Sequence, residues 1–225
     1  MPAKYTLVIG TASWSSWSLR PFLLLHQAAI PFETVMIPLR QEQGKSKKAI
    51  LKHSPSGKVP LLKITERGRT LKVWDSLAIC ETIAERHPRA GLWPANAAAR
   101  AIARAYAAEM HSGFANLRDQ LSLLFGQRAP LPDLRKETSR EIEHIIALWN
   151  EALKAGKGPF LFGRFSIADA MYAPVVSRFE TYGVKVPKPL RTYMDRILAL
   201  PGMQAWGEIA RKERQTGLPD APATL

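Results

Sequence analysis

The rhythm of apolar and polar positions changes near residue 90. Before it, short apolar runs at residues 5–9, 32–36, 61–64 and 70–73 are separated by turn-forming or amphipathic stretches, the spacing of strands. Gly10 ends the first run. Residues 18–29 then repeat apolar positions at helical spacing and stop before Pro31. A further helix is predicted from Asp75-Ser76 through Ile79, Ile83 and Ala84 toward His87-Pro88, and Glu66-Arg67-Gly68-Arg69 reads as a hairpin turn. The predicted order is strand, helix, strand, helix, strand, strand, helix, which argues for a mixed sheet covered by helices.

Residues 87–94 contain two prolines and a glycine that interrupt both helical periods, so they are the natural linker between a unit at 1–86 and one at 95–225. Beyond them no stretch has the pattern of a strand. Helices are expected at 97–125, 137–155, 167–182, 190–199 and 203–214, and the tail from Gly217 is expected to fray. Ser166 and Asp169 stand three apart at the start of the third of these, as a reciprocal helix cap does. The fold class is therefore α/β followed by all-α.

Composition fits this picture without changing it. The chain has 225 residues, 46% hydrophobic and 23% charged, enough for one large domain or two modest ones. No run approaches the roughly 18 apolar residues a membrane span requires, and the N-terminus lacks a secretory pattern, so a cytoplasmic protein is expected. Cys80 is the only cysteine, which excludes an internal disulfide, a CxxC redox centre and a cysteine-rich metal site. A thiol used in chemistry must come from outside.

Charge does change the picture. The formal net charge is +13, and residues 1–88 carry 13 Lys+Arg against 6 Asp+Glu while residues 89–225 carry 19 against 13. The excess is spread over both halves. Its one dense patch, Lys45, Lys47, Lys48 and Lys52, has no interleaved aromatic residues for base stacking. A solvated helix face is the first reading, attraction of an anionic small molecule the second, and nucleic-acid binding the last.

Candidate chemistry lies at three places. Ser15-Ser16-Trp17-Ser18-Leu19-Arg20-Pro21 clusters hydroxyls where an apolar strand gives way to a helix, so hydroxyl donors and free N–H groups converge on an anion. Ser15 is the first candidate to hydrogen-bond a thiolate, with Ser16 and Ser13 behind it and Ser18 better placed as the cap. Ser54-Pro55-Ser56-Gly57-Lys58-Val59-Pro60 approaches a strand that opens on proline, and a cis Val59–Pro60 bond would turn the Val59 backbone outward. Val73-Trp74-Asp75-Ser76 ends a strand at an acid and a hydroxyl, suited to an ammonium group and a carboxylate. Taken singly, each segment reads equally well as loop hydroxyls, an edge-strand proline with a trans bond, or a routine N-cap.

Together these segments resemble the glutathione S-transferase family over nearly the whole chain. The resemblance is carried by Ser-Ser-Trp-Ser-Leu-Arg-Pro at 15–21, Gly-Lys-Val-Pro-Leu-Leu at 57–62, Trp-Asp-Ser-Leu-Ala-Ile at 74–79 and Phe-Ser-Ile-Ala-Asp-Ala at 165–170, in the family's order. It implies a thioredoxin-like N-terminal domain (βαβαββα), a helical glutathione-transferase C-terminal domain, glutathione as cosubstrate with no metal, a small-molecule electrophile, a homodimer and no membrane partner. Carried over, Ser15 matches the thiolate-stabilising serine with Ser16 as its fallback, Val59 before Pro60 matches the residue whose backbone pairs with the cysteinyl unit, and Asp75 with Ser76 matches the γ-glutamyl site. Lys58 and Arg20 either approach the glycyl carboxylate or are surface charges.

The serine motif is most similar to the zeta class, whose pattern has Ser-Ser-Cys-Ser. Trp17 stands at the cysteine position, which bears against a maleylacetoacetate isomerase activity. The electrophile pocket is expected from Trp14, Met110, His111, Phe114 and Phe125, although His111 also reads as a partly exposed helix residue. Cys80 reads as core. The rival reading keeps the fold and drops catalysis, leaving a glutathione-transferase-like binding or assembly module.

Overall fold

A computed structural model describes residues 2–39 and 44–216; the tail from Gly217, expected to fray, lies outside the described residues. The first half runs β1 (Lys4–Gly10), α1 (Ser16–Gln27), β2 (Glu33–Ile37), α2 (Lys45–Leu51), β3 (Leu61–Glu66), β4 (Arg69–Trp74) and α3 (Ser76–Arg86). The sheet order is β2-β1-β3-β4, with β2 parallel to β1 and the other pairs antiparallel.

Strand alternation decides how the sheet is covered. Tyr5, Leu7, Ile9, Leu62 and Ile64 face one side and join the core with α1 and α3, while Val8, Ile37 and Leu61 face the other and meet Ile50 of α2. Gly10 belongs to β1 rather than breaking it. A Cβ there would lie 2.6 Å from Leu39 Cδ1 and 3.0 Å from Val59 Cγ2, so the bare backbone is what lets the segment at Val59 approach β1.

After a single 3-10 turn at Pro88–Ala90, the second half is α4 (Ala97–Ser112), α5 (Ala115–Gln120), α6 (Lys136–Gly156), α7 (Ile167–Tyr182), α8 (Lys188–Leu198) and α9 (Pro201–Gln215). The single helix expected at 97–125 is instead two helices. Phe114 takes a left-handed backbone (φ 56°) between them, and Glu141 of α6 accepts the Leu117 N–H at 2.7 Å, ending one helix and capping the next. On α6, Thr138, Ile142, Ile145, Trp149 and Ala152 form the buried stripe that its helical periodicity predicts.

α7 is the axis of the molecule, with every residue but Glu180 buried. The Ser166–Asp169 capping box opens it and Gly183 closes it at φ 63°. α1 packs on α3, α7 and α9, so one continuous core reaches from Leu7 on the sheet to Trp206 on α9. The two halves differ in pattern but share that core. Among the described residues no helix is long and apolar enough to cross a membrane.

Candidate functional site

Ser15 is the N-cap of α1. Its Oγ accepts the Ser18 N–H at 3.4 Å, and its hydroxyl donates to Ser18 Oγ at 2.8 Å. Ser18 Oγ also accepts the Gly10 N–H at 3.1 Å. The cap expected of Ser18 thus falls to Ser15, because the cap must precede the helix and Ser18 sits three positions on, where it supplies the N–H. Ser16 opens the helix, and its Oγ is the acceptor of a long 3.5 Å bond from Arg178 Nη2. Ser13, the other fallback, is engaged with Glu213 and the Ala210 carbonyl.

The second and third segments converge beside this turn on a cavity of about 650 Å³ lined by Trp17, Ser56, Lys58, Val59, Pro60, Trp74, Asp75, Ser76 and His111. The Val59–Pro60 bond is cis. Asp75 holds a left-handed backbone (φ 76°), uncommon for a residue with a side chain and a recurrent mark of functional sites. Its Oδ1 caps α3 by accepting the Leu77 and Ala78 N–H groups at 2.9 and 3.2 Å. Its Oδ2 lies 3.1 Å from His111 Nε2 on α4, a contact that joins the two halves across the cavity. His111 Nδ1 is buried and has no partner among the described residues.

Three guanidinium groups gather behind Trp17. Arg20 is 1% exposed, stands 4.2 Å from the Trp17 ring centre, and reaches Ser76 Oγ at 3.5 Å, while its Nε has no partner among the described residues. It is therefore neither a surface charge nor a residue of the cavity mouth. Arg118 stacks over the same indole at 5.5 Å, and buried Arg178 donates to the Leu121 carbonyl at 2.7 Å. Burial, then the neighbouring cations, brings Arg20 down to about 9, and burial and Arg118 bring Arg178 to about 10. Both still carry charge at neutral pH, so the region behind Trp17 favours an anion.

Of the residues read from sequence, Lys58, Val59, Pro60, Asp75, Ser76 and His111 share the cavity, and Ser15 and Ser16 stand buried at the adjoining helix start. Met110, Phe114 and Phe125 are buried in the core instead, with Phe114 stacked on His144 at 5.8 Å. Trp14 is half-buried and is not among the lining residues. Trp17, whose ring the sequence places beside the substrate pocket, lines the cavity, while Ser56 and Trp74 are lining residues that the sequence reading does not single out. Trp74 carried a signal in its place directly before Asp75, whereas Ser56 reaches the cavity through the loop's path alone. Cys80 is fully buried and its thiol is pushed well above the usual range by burial.

Models of the glutathione S-transferase N-terminal and C-terminal domains match residues 14–86 and 132–206. Maleylacetoacetate isomerase of Rattus norvegicus is 30% identical over 230 residues, covering 100% of this chain and 97% of the relative. A glutathione transferase homolog from Burkholderia, solved with bound glutathione, superposes with a TM-score of 0.69 at 23% identity, over 93% of this chain and 98% of that one. Glutathione transferase Omega 2S of Trametes versicolor gives 0.70 at 21% identity, over 100% of both chains.

Proposed function

The chain belongs to the glutathione S-transferase family, and from that premise we propose that it binds reduced glutathione, holds the thiol as a thiolate and directs it at a small, partly apolar electrophile. Residues 1–86 bind the tripeptide, residues 95–225 contribute the electrophile pocket, and residues 87–94 link them. The observation that carries the reading is the cavity shared by Lys58, Val59, Pro60, Asp75 and Ser76 beside the start of α1. Its groups suit the ligand: Asp75 faces an ammonium group, and Ser76 at the head of α3, where the helix end is positive, faces a carboxylate.

A free thiol has a pKa of about 8.5, and a hydroxyl donor with a helix N-terminus lowers it by about one to two units. Each unit is about 1.4 kcal/mol, within reach of one donor bond and the helix end together. The Ser15 proton rests on the neutral Ser18 oxygen. Turning it to sulfur gains most once the sulfur is charged, since charge-assisted bonds are roughly twice as strong as neutral ones. That difference acts on the reaction rather than on ground-state binding. Ser16 is the second donor of the proposal.

A second reading, a glutathione-dependent isomerase of the maleylacetoacetate isomerase type, is favoured by the 30% identical relative and by the guanidinium groups of Arg20, Arg118 and Arg178 around Trp17 and Ser16. There the thiolate adds to a conjugated double bond of an anionic substrate, the bond rotates, and the same thiolate leaves. A homodimer belongs to the proposal as well: β4 and α4 expose Leu71, Trp74 and Ile102, apolar surface that a second copy would cover.

Retention on immobilised glutathione, with turnover of a generic aromatic electrophile and of a conjugated dicarboxylic acid, tests these readings. Turnover of the first supports conjugation, and isomerisation of the second without net loss of glutathione supports the isomerase. Retention with neither leaves a binding module, and failure to bind at millimolar glutathione removes the proposal.

A further inference from the structure

Glu213 is buried near the end of α9, and its carboxylate reaches the loop that leads into α1. It accepts the Ala12 N–H at 2.7 Å on one oxygen, and the Ser13 N–H at 3.0 Å and the Ser13 hydroxyl at 3.2 Å on the other. The same two loop residues are held on their carbonyls: Trp206 Nε1 donates to Ala12 O at 2.9 Å, and the Phe125 N–H donates to Ser13 O at 3.1 Å. Directly beside them the Thr11 carbonyl accepts the Trp14 N–H at 3.1 Å and the Ser15 N–H at 2.8 Å, which sets Ser15 at the head of the helix. Hydrogen bonds from Glu213 to residues 12 and 13, the peptide bond to Thr11 and the Thr11–Ser15 hydrogen bond thus connect the carboxylate to the head of the helix.

Packing alone does not call for a carboxylate there. An apolar side chain would leave the Ala12 and Ser13 N–H groups buried without partners. A glutamine would fill the same volume but present an NH2 to one set of donors. Two oxygens that only accept match the donors the loop turns toward them, the Ala12 and Ser13 N–H groups and the Ser13 hydroxyl.

Resting on the proposed function, we infer that Glu213 is a positioning residue for the thiolate chemistry: a carboxylate on α9 that holds residues 12 and 13 so that the Ser15 hydroxyl at the start of α1 addresses the substrate sulfur. Placement and charge pull in opposite directions. As a bare negative charge, Glu213 disfavours a thiolate, so its removal would lower the thiol pKa; as a staple, its removal lets the donor drift and raises it. The titratable and charged groups that line the cavity or gather behind Trp17, namely Lys58, Asp75, His111, Arg20, Arg118 and Arg178, are untouched by the substitution, so the sign reads the loop.

The test measures kcat, KM for glutathione and the acidic limb of the pH profile in Glu213→Gln and in Trp206→Phe, which loses one loop bond while keeping an aromatic ring. We expect kcat to fall about tenfold with KM for glutathione within about threefold, the pattern of lost orientation. The limb should move about half a unit or more to higher pH in Glu213→Gln, and in the same direction by less in Trp206→Phe. A folded Glu213→Gln whose limb stays in place or moves to lower pH overturns the inference.

Amide exchange in the native protein decides the matter even if neither variant folds. Protection of Ala12 and Ser13 comparable to that of α9 supports the staple, and exchange at the rate of an open loop overturns it. Ser15→Ala separates this inference from its premise: if that variant leaves the limb unmoved, the thiolate reading falls, while exchange still judges the staple.

Discussion

The Ser15 hydroxyl donates to Ser18 Oγ across 2.8 Å. That oxygen also takes the Gly10 N–H, so Ser18 ties the end of β1 to the start of α1 and competes with any substrate for the Ser15 proton. Ser18→Ala should cost about 1–2 kcal/mol in urea unfolding, since a buried N–H loses its partner. It should also shift the acidic limb of turnover to lower pH by some tenths of a unit, because Ser15 no longer has a rival acceptor. A limb moved to higher pH would mean that Ser18 itself supplies the donor.

Asp75 already uses both carboxylate oxygens, one on the α3 N–H groups and one on His111. Asp75→Asn keeps an oxygen for the cap while removing the charge proposed to meet the ammonium group. KM for glutathione should rise about tenfold, the worth of a charge-assisted bond, with kcat within about twofold. Equal KM values in variant and parent would take Asp75 out of the binding site.

Arg178 separates the two catalytic readings. Arg178→Met keeps the unbranched apolar stem and removes the buried charge beside Ser16. Hydrogen bonds to charged groups contribute about 1.5–3 kcal/mol, so kcat/KM for a carboxylate-bearing electrophile should fall about 10–100-fold. For a neutral aromatic electrophile it should stay within about threefold. Parallel losses on both substrates would show that Arg178 acts through the fold.

The order of strands and helices in the first half was legible because alternation and helical spacing differ sharply there, and the bounds of α7 because Ser166, Asp169 and Gly183 mark both ends locally. The break at Phe114 was not legible. It depends on Glu141, which comes from another helix and takes over the N–H groups of the new one. The neighbours Lys58, Val59, Pro60, Asp75 and Ser76 were legible as a set only through the family resemblance that the motifs carry together, since each motif alone reads as an ordinary loop, strand or cap. Which aromatic residues face the cavity was not legible, since that depends on helix rotation about a shared core: Trp17 lines it, while Phe114 is buried in the core. Glu213 carries no signal at all in sequence, standing 200 residues from the serine it binds.

Asp169 gives the fold a pH dependence of its own. Burial pushes its carboxyl up to about 6, outweighing the bonds it accepts from Leu161, Ser166 and Tyr193. The folded chain then holds this proton more tightly than the unfolded chain, whose carboxyl titrates near 4. Its contribution is complete below about pH 4 and is lost as pH rises through about 6, about 3 kcal/mol in all. Asp169→Asn should remove this share of the slope, so that the stability of the parent relative to the variant declines between pH 4 and 7. A constant difference across that range would contradict it.

The pKa of the glutathione thiol when bound, read from thiolate ultraviolet absorbance in the parent protein and in Ser15→Ala, tests the central claim most directly. The account predicts a value about one to two units below that of free glutathione in the parent, and a return most of the way in the variant with little change in affinity. A bound thiol that titrates as it does in water, or one whose depressed pKa survives the loss of the Ser15 hydroxyl, would contradict it.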